Sequence, residues 1–166
     1  MDINVKIRKS IETAKKDAEN MKCPRATKDL KLNTKNRDLA LKKFNYGPLN
    51  VDEPGDYWKN VAKYWKTTEK AVKKALCGNC VAFDISPRMK ECMPGDTFDG
   101  DGELGYCWMH HFKCHSARSC HTWAKGGPIK KDVESYEWQK KNQIAESKLL
   151  TIEVKRKRNF LWVKNN

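Results

Sequence analysis

The chain has 166 residues, enough for one ordinary domain or for one small domain with structured extensions. With 39% hydrophobic and 33% charged residues and a mean hydropathy of -0.87, its apolar core must be modest. No apolar run approaches the roughly 18 to 20 residues of a membrane span, and Met1-Asp2-Ile3-Asn4-Val5-Lys6 lacks the apolar centre of a signal peptide, so synthesis in the cytosol without conventional secretion is expected. The formal charge of +13, from 34 Lys and Arg against 21 Asp and Glu, calls for an acidic partner or a neighbouring subunit. The basic residues are scattered rather than striped, which favours solvated helix faces or protein partners over nucleic acid.

Taken in chain order, Val5, Ile7, Ile11, Ala14, Ala18 and Met21 form a weak apolar stripe that predicts an amphipathic helix. Cys23-Pro24 should end it, because proline removes a donor and disfavours helix at the residue before it. Residues 25–56 carry the turn signals Gly47-Pro48 and Pro54-Gly55 and read as an extended arm with one helix near Asp38 to Phe44. Such an arm needs a surface to lie on. From Asp56, a plausible N-cap, to Leu76, the residues Trp58, Val61, Ala62, Trp65, Val72 and Ala75 recur at helical spacing and predict one long helix.

That helix delivers the chain to Cys77-Gly78-Asn79-Cys80. Between Phe83 and Tyr106 the chain is rich in Gly, Pro and Asp and reads as loop. Asp99, Asp101 and Glu103 superficially resemble a calcium loop, but Leu104 and His110 stand where the glycine and the bidentate Glu are needed. A further helix is expected from Lys131 to Leu150, then a hairpin or tail with the basic tip Lys155-Arg156-Lys157-Arg158. The expected division is a basic helix and arm over 1–56, a cysteine-centred domain over 57–129, and a C-terminal helix and basic tail over 130–166.

Six of the 7 cysteines fall between Cys77 and Cys120, at 77, 80, 92, 107, 114 and 120. This density is the strongest signal in the chain. In a chain without a signal peptide it points to metal ligands or free thiols rather than to a disulfide framework. A Cys-x-x-Cys turn lets two thiolates reach one centre while turn amides stabilise their charge. Tyr106, Trp108, Phe112 and Trp123 concentrate aromatic bulk near the later cysteines, as suits a centre kept from water.

The wording Cys77-Gly78-Asn79-Cys80-Val81-Ala82-Phe83, then Gly105-Tyr106-Cys107, then Cys120-His121-Thr122-Trp123 resembles the high-potential iron-sulfur protein (HiPIP) family. The resemblance implies a small, irregular, α-rich fold built around a 4Fe-4S cluster. It makes Cys77, Cys80, Cys107 and Cys120 the ligands, with Phe83, Tyr106, Trp108 and Trp123 shielding the cluster. The spacer from Cys80 to Cys107 is longer than the family pattern, and Cys92 and Cys114 have no counterpart in it, so they stand as reserve ligands, a mutual pair or buried thiols. The run Tyr106-Cys107-Trp108-Met109-His110-His111-Phe112-Lys113-Cys114-His115-Ser116-Ala117-Arg118-Ser119-Cys120 also resembles small structural proteins of tailed phages of aquatic bacteria. That resemblance implies a virion component whose arms hold other structural subunits and whose cluster serves as a staple.

Two other classes compete. One is a soluble electron carrier of the same family. The other is a zinc module binding nucleic acid, in which Cys77 and Cys80 join two of Cys107, His110, His111, Cys114 and His115. The gap from Cys80 to His111 is about twice the roughly 12 to 15 residues of a zinc finger. No phosphate loop, nucleophile elbow or framed acid pair is present in the sequence, and a Cys114–His110 pair is not distinguishable from a ligand set, so no enzyme is expected.

Overall fold

The computed structural model describes residues 3–19 and 21–143. The first helix, α1 (Ile3–Ala18), follows the predicted stripe, and its apolar residues Ile3, Val5, Ile7 and Ile11 lie exposed. After it, the region read as an arm is largely helical. Helix α2 (Arg25–Lys28) starts behind Pro24, and α3 (Leu30–Phe44) starts at Asp29, whose carboxylate accepts the Leu32 amide at 3.0 Å. Asn45, in the left-handed region at φ 52°, ends α3 and turns the chain toward the buried Tyr46.

The expected long helix is two short ones, α4 (Tyr57–Tyr64) and α5 (Glu69–Val72). Lys66 adopts φ 53°, and the Thr68 hydroxyl accepts the Ala71 amide at 3.2 Å and caps the new start. Both helices turn their apolar stripes into one small cluster of Trp58, Val61, Ala62 and Val72. A shared core therefore keeps helical spacing across a break. Asp56 makes no side-chain cap bond.

The stretch read as loop, from Phe83 to Tyr106, supplies most of a small antiparallel sheet, so the fold is a small mixed α and β one in which helices outweigh strands. Its strands are β1 (Phe83–Asp84), β2 (Phe98–Asp99), β3 (Gly102–Cys107) and β4 (Phe112–His115), with helix α6 (Pro87–Cys92) between β1 and β2. Strand β3 is central: β4 pairs along it, β1 pairs with its C-terminal end and β2 with its N-terminal end. Helix α3 docks against the β3–β4 hairpin, where Asn36 Nδ2 donates to the His111 carbonyl at 2.7 Å and the Lys113 amide donates to Asn33 Oδ1 at 2.8 Å.

Residues 116–129 then wrap the sheet through bridges to Gly47, Cys80 and Asp84. The last described helix, α7 over residues 132–143, packs back on Met21 and Lys22 through Ser135 and Gln139. One hydrophobic cluster runs from Met21, Ala26, Ala40 and Tyr46 through the cysteines to Ile129, with the partly buried Tyr136 and Trp138 packed against it. The expected C-terminal hairpin and basic tip lie outside the described residues.

Candidate metal centre

The Cys77–Asn79 segment is one turn of 3-10 helix, and every amide in it is engaged by a carbonyl. The Cys77 amide donates to Arg118 O at 2.6 Å, Gly78 to Ser116 O at 2.9 Å, Asn79 to Leu76 O at 3.0 Å and Cys80 to Cys77 O at 2.9 Å. The expectation that these turn amides would point at the sulfurs is thus corrected. They fasten the turn to itself and to the chain that follows β4. Asn79 completes the fastening: its side chain donates to Lys74 O at 2.7 Å and accepts the Trp123 indole N–H at 2.9 Å.

Side chains alternate between the two faces of a sheet, so register decides what else can reach the turn. Gly105 pairs with Cys114, Cys107 with Phe112, and Phe83 with Cys107. Phe83, Gly105, Cys107, Phe112 and Cys114 therefore share one face, on which Cys107 and Cys114 are diagonal neighbours. Gly105 is required there: a Cβ would lie 2.6 Å from two carbons of the Phe83 ring and 2.9 Å from Asp84 O. Cys120 arrives from the wrapping segment, where the Val81 amide donates to Ala124 O at 2.8 Å and Gly127 passes so close to the Cys80 carbonyl that no side chain would fit.

Cys77, Cys80, Cys107, Cys114 and Cys120 are all free thiols, and their charges act on one another. Burial pushes the Cys80 and Cys114 thiols up and carries Cys120 to about 12. The Cys107 thiol moves the other way, chiefly because the Cys114 S–H donates to it. Three sulfurs also accept an N–H from the residue two positions on: Cys80 from Ala82, Cys107 from Met109 and Cys120 from Thr122. Each of these cysteines ends an element or lies in a connection, which leaves the next amides free of a ladder. Of the five thiols, Cys77, Cys80, Cys114 and Cys120 are buried and Cys107 is partly exposed.

The four cysteines of the iron-sulfur motif and Cys114 lie near enough for their charges to influence one another. The structure removes Cys92, which is bonded to Cys23 across 69 residues of sequence, so Cys92 serves neither as a reserve ligand nor as a partner of Cys114. Among the shielding aromatics, Phe83 lies over the thiol face and Trp123 fastens the turn, its indole also donating to Leu76 O at 2.8 Å. Tyr106 is placed on the opposite face by strand alternation, and Trp108, just beyond the end of β3, packs beside it there. There they pack edge to face at 5.0 Å, and Trp108 Nε1 donates to the buried Asp84 carboxylate at 2.8 Å.

Their place at the thiols is taken by Phe112 and by Tyr46, whose rings meet edge to face at 4.9 Å. Burial raises the Tyr46 and Tyr57 phenols, and nearby thiols raise them further: Cys114 and Cys77 act on Tyr46, Cys120 and Cys77 on Tyr57. Neither tyrosine was evident from sequence, since both lie in or beside the stretch read as an arm. The only signal was Tyr46 preceding the Gly47-Pro48 turn.

The histidines are mostly engaged elsewhere. His115 meets Asp99 at 3.1 Å, His121 stacks on Tyr64 at 3.6 Å, and His111 packs against Tyr106. His110 is the exception, with Nε2 2.7 Å from the Thr122 hydroxyl and 3.9 Å from Cys120 Sγ. Among the described residues, no three or more His, Cys, Asp or Glu side chains are gathered closely enough to hold a single metal ion. The same residues include no helix long and apolar enough to cross a membrane. Comparison of the chain with models of known protein families, with curated proteins and with solved structures finds no match in any of the three.

Proposed function

We propose that Cys77, Cys80, Cys107 and Cys120 hold a 4Fe-4S cluster whose task is to staple the fold of a structural, non-catalytic protein. The observation that carries this reading is the convergence of free thiols from the turn after α5, the end of β3 and the wrapping segment, three of them supplied with backbone N–H donors. Bound there, the cluster would cross-link those segments around a modest apolar core, as metals commonly do in small domains. The protein's own part is to hold the sulfurs in place through the Asn79 and Trp123 contacts and to keep water out with Phe83, Phe112 and Tyr46.

The wider role in this reading is that of a tailed-phage virion component, in the tail, baseplate or neck, contacting other structural subunits through its terminal regions. The charge of +13 and the exposed apolar stripe of α1 are consistent with protein partners. A zinc site remains the second reading on one observation, the position of His110 Nε2 beside Cys120 Sγ. The test is anaerobic loading of the metal-free chain, once with iron and sulfide and once with zinc, followed by denaturant unfolding. A staple predicts that iron and sulfide raise the unfolding midpoint and that alanine at any one of the four ligand cysteines cancels the rise. A rise with zinc alone would transfer the site to the second reading, and no rise with either would refute both.

A further inference from the structure

A cavity of about 690 Å³ opens between α5 and residues 123–127. Ligand pockets commonly span roughly 300–1,000 Å³. Trp65, Val72, Ala75 and Trp123 form its apolar wall. Each indole N–H is already used, Trp65 Nε1 by His121 O at 3.4 Å and Trp123 Nε1 by Leu76 O at 2.8 Å, so the rings offer the cavity carbon surface.

The rim carries the exposed Lys74 and Lys125, and no carboxylate lines the cavity. Neither ammonium has an ion-pair partner among the described residues, and the nearby Glu69 is taken by Lys73 at 3.8 Å. In a chain of net charge +13, an apolar wall under unpaired cations is complementary to apolar groups flanked by carboxylates.

Lys125 adds main-chain groups. Its bridge to Cys80 is antiparallel, and the bonds run between flanking residues, from the Val81 amide to Ala124 O at 2.8 Å and from the Gly127 amide to Asn79 O at 3.2 Å. In such a pair the two facing residues turn their own N–H and C=O outward. Those of Lys125 make no hydrogen bond among the described residues, which leaves them for an incoming extended chain. A fatty acid could cover the wall but could not use this edge. Sandwiching a nucleobase needs parallel rings, whereas Trp65 and Trp123 lean together with centroids 6.1 Å apart and planes at 49°.

We propose that this cavity binds an acidic, apolar segment of a partner protein. The segment adds in extended form along Lys125, with apolar side chains on Trp65 and Trp123 and carboxylates at Lys74 and Lys125. This surface is separate from the terminal regions assigned to partners above, and the proposal stands whether or not the cysteines hold a cluster.

The experiment titrates the full chain into a fluorescent pool of capped hexapeptides that alternate Leu or Phe with Asp or Glu, and reads anisotropy. Wild type is compared with the double reversal K74E and K125E and with Ala71→Trp, whose new ring would grow from an exposed position into the cavity. Saturable binding to wild type is expected, weakened about tenfold by the charge reversal and abolished by A71W, whose net charge is unchanged. The indole N–H resonances of Trp65 and Trp123 should move on binding.

Undiminished binding by either variant would place the peptide elsewhere and overturn the proposal, as would equal binding of a pool in which Lys replaces the acids. Preference for decanoate or for an oligothymidylate over the peptides would overturn it by giving the cavity to a lipid or to nucleic acid. Absence of binding by all of these probes would overturn it as well. Circular dichroism checks the fold of each variant, and if one does not fold, the other and the indole shifts decide the matter.

Discussion

Substituting Gly105 by alanine tests the packing that builds the thiol face. The added Cβ would lie 2.6 Å from Phe83 Cε2 and Cζ, where ordinary contact is 3.4–4 Å, and 2.9 Å from Asp84 O. Relief needs a shift of about 1 Å, and neither neighbour is free to give it. Phe83 is 1% exposed, and Asp84 O belongs to β1, whose register against Cys107 and Tyr106 fixes its distance from β3. Overpacking of a closed core costs roughly 1–3 kcal/mol, and the backbone clash places G105A near 3 kcal/mol.

Denaturant unfolding of the metal-free protein reads this as a lower midpoint at unchanged slope. Gly100→Ala is the internal control, because nothing lies within 4 Å of its Cβ, and it should stay within about 0.5 kcal/mol of wild type. Trimming the ring with Phe83→Leu should cost less in the G105A background than in wild type, since the two changes share one contact. If G105A matched G100A, or if the two changes were additive, the face-to-face packing of Phe83 on Gly105 would be wrong.

Other perturbations probe the rest of the fold. Cys92→Ala opens the link to Cys23, and closing a loop across a separation of 69 residues predicts a loss of about 4 kcal/mol, read by unfolding with and without reductant. Trp108→Phe removes the 2.8 Å donor to the buried Asp84 carboxylate, which keeps only the Ser86 amide at 2.9 Å, and should cost about 2 kcal/mol in the same assay. Burial raises the folded Cys120 thiol from 9.0 to about 12, so the metal-free fold should have its full stability below pH 9 and lose it as pH climbs toward about 12. A Cys120→Ala chain should lose less over that window. Because the Cys80 and Cys120 thiols are both pushed up, metal loading near neutral pH should release protons, measurable with an indicator dye in weak buffer.

The thiol group was legible in the sequence because Cys77-Gly78-Asn79-Cys80 and the later cysteines are dense enough to need a common reason. The sheet was not, because β1 and β2 have two residues each and β3 carries two glycines, so alternation had too few side chains to show itself. Without the strands, Tyr106 and Trp108 looked like neighbours of Cys107, whereas register sends Tyr106 to the other face and Trp108 packs against it there. The break at Lys66 was hidden because α4 and α5 feed one cluster, which preserves helical spacing on both sides of it. The partnership of Cys23 with Cys92 depends on α6 closing against the chain before α2, a long-range arrangement that no local pattern encodes. Tyr46 was missed for the same reason: its contacts with Phe112 and with the His115 amide at 2.9 Å exist only once α3 has docked on the hairpin.

The central claim is tested most directly by iron, zinc and acid-labile sulfide per chain, measured on protein purified without oxygen or added metal. The account predicts about four irons with about four sulfides and no zinc, and loss of both when Cys77, Cys80, Cys107 or Cys120 is replaced by alanine but not when Cys114 is. About one zinc without sulfide, or no metal at all in protein whose five thiols react freely, would contradict it.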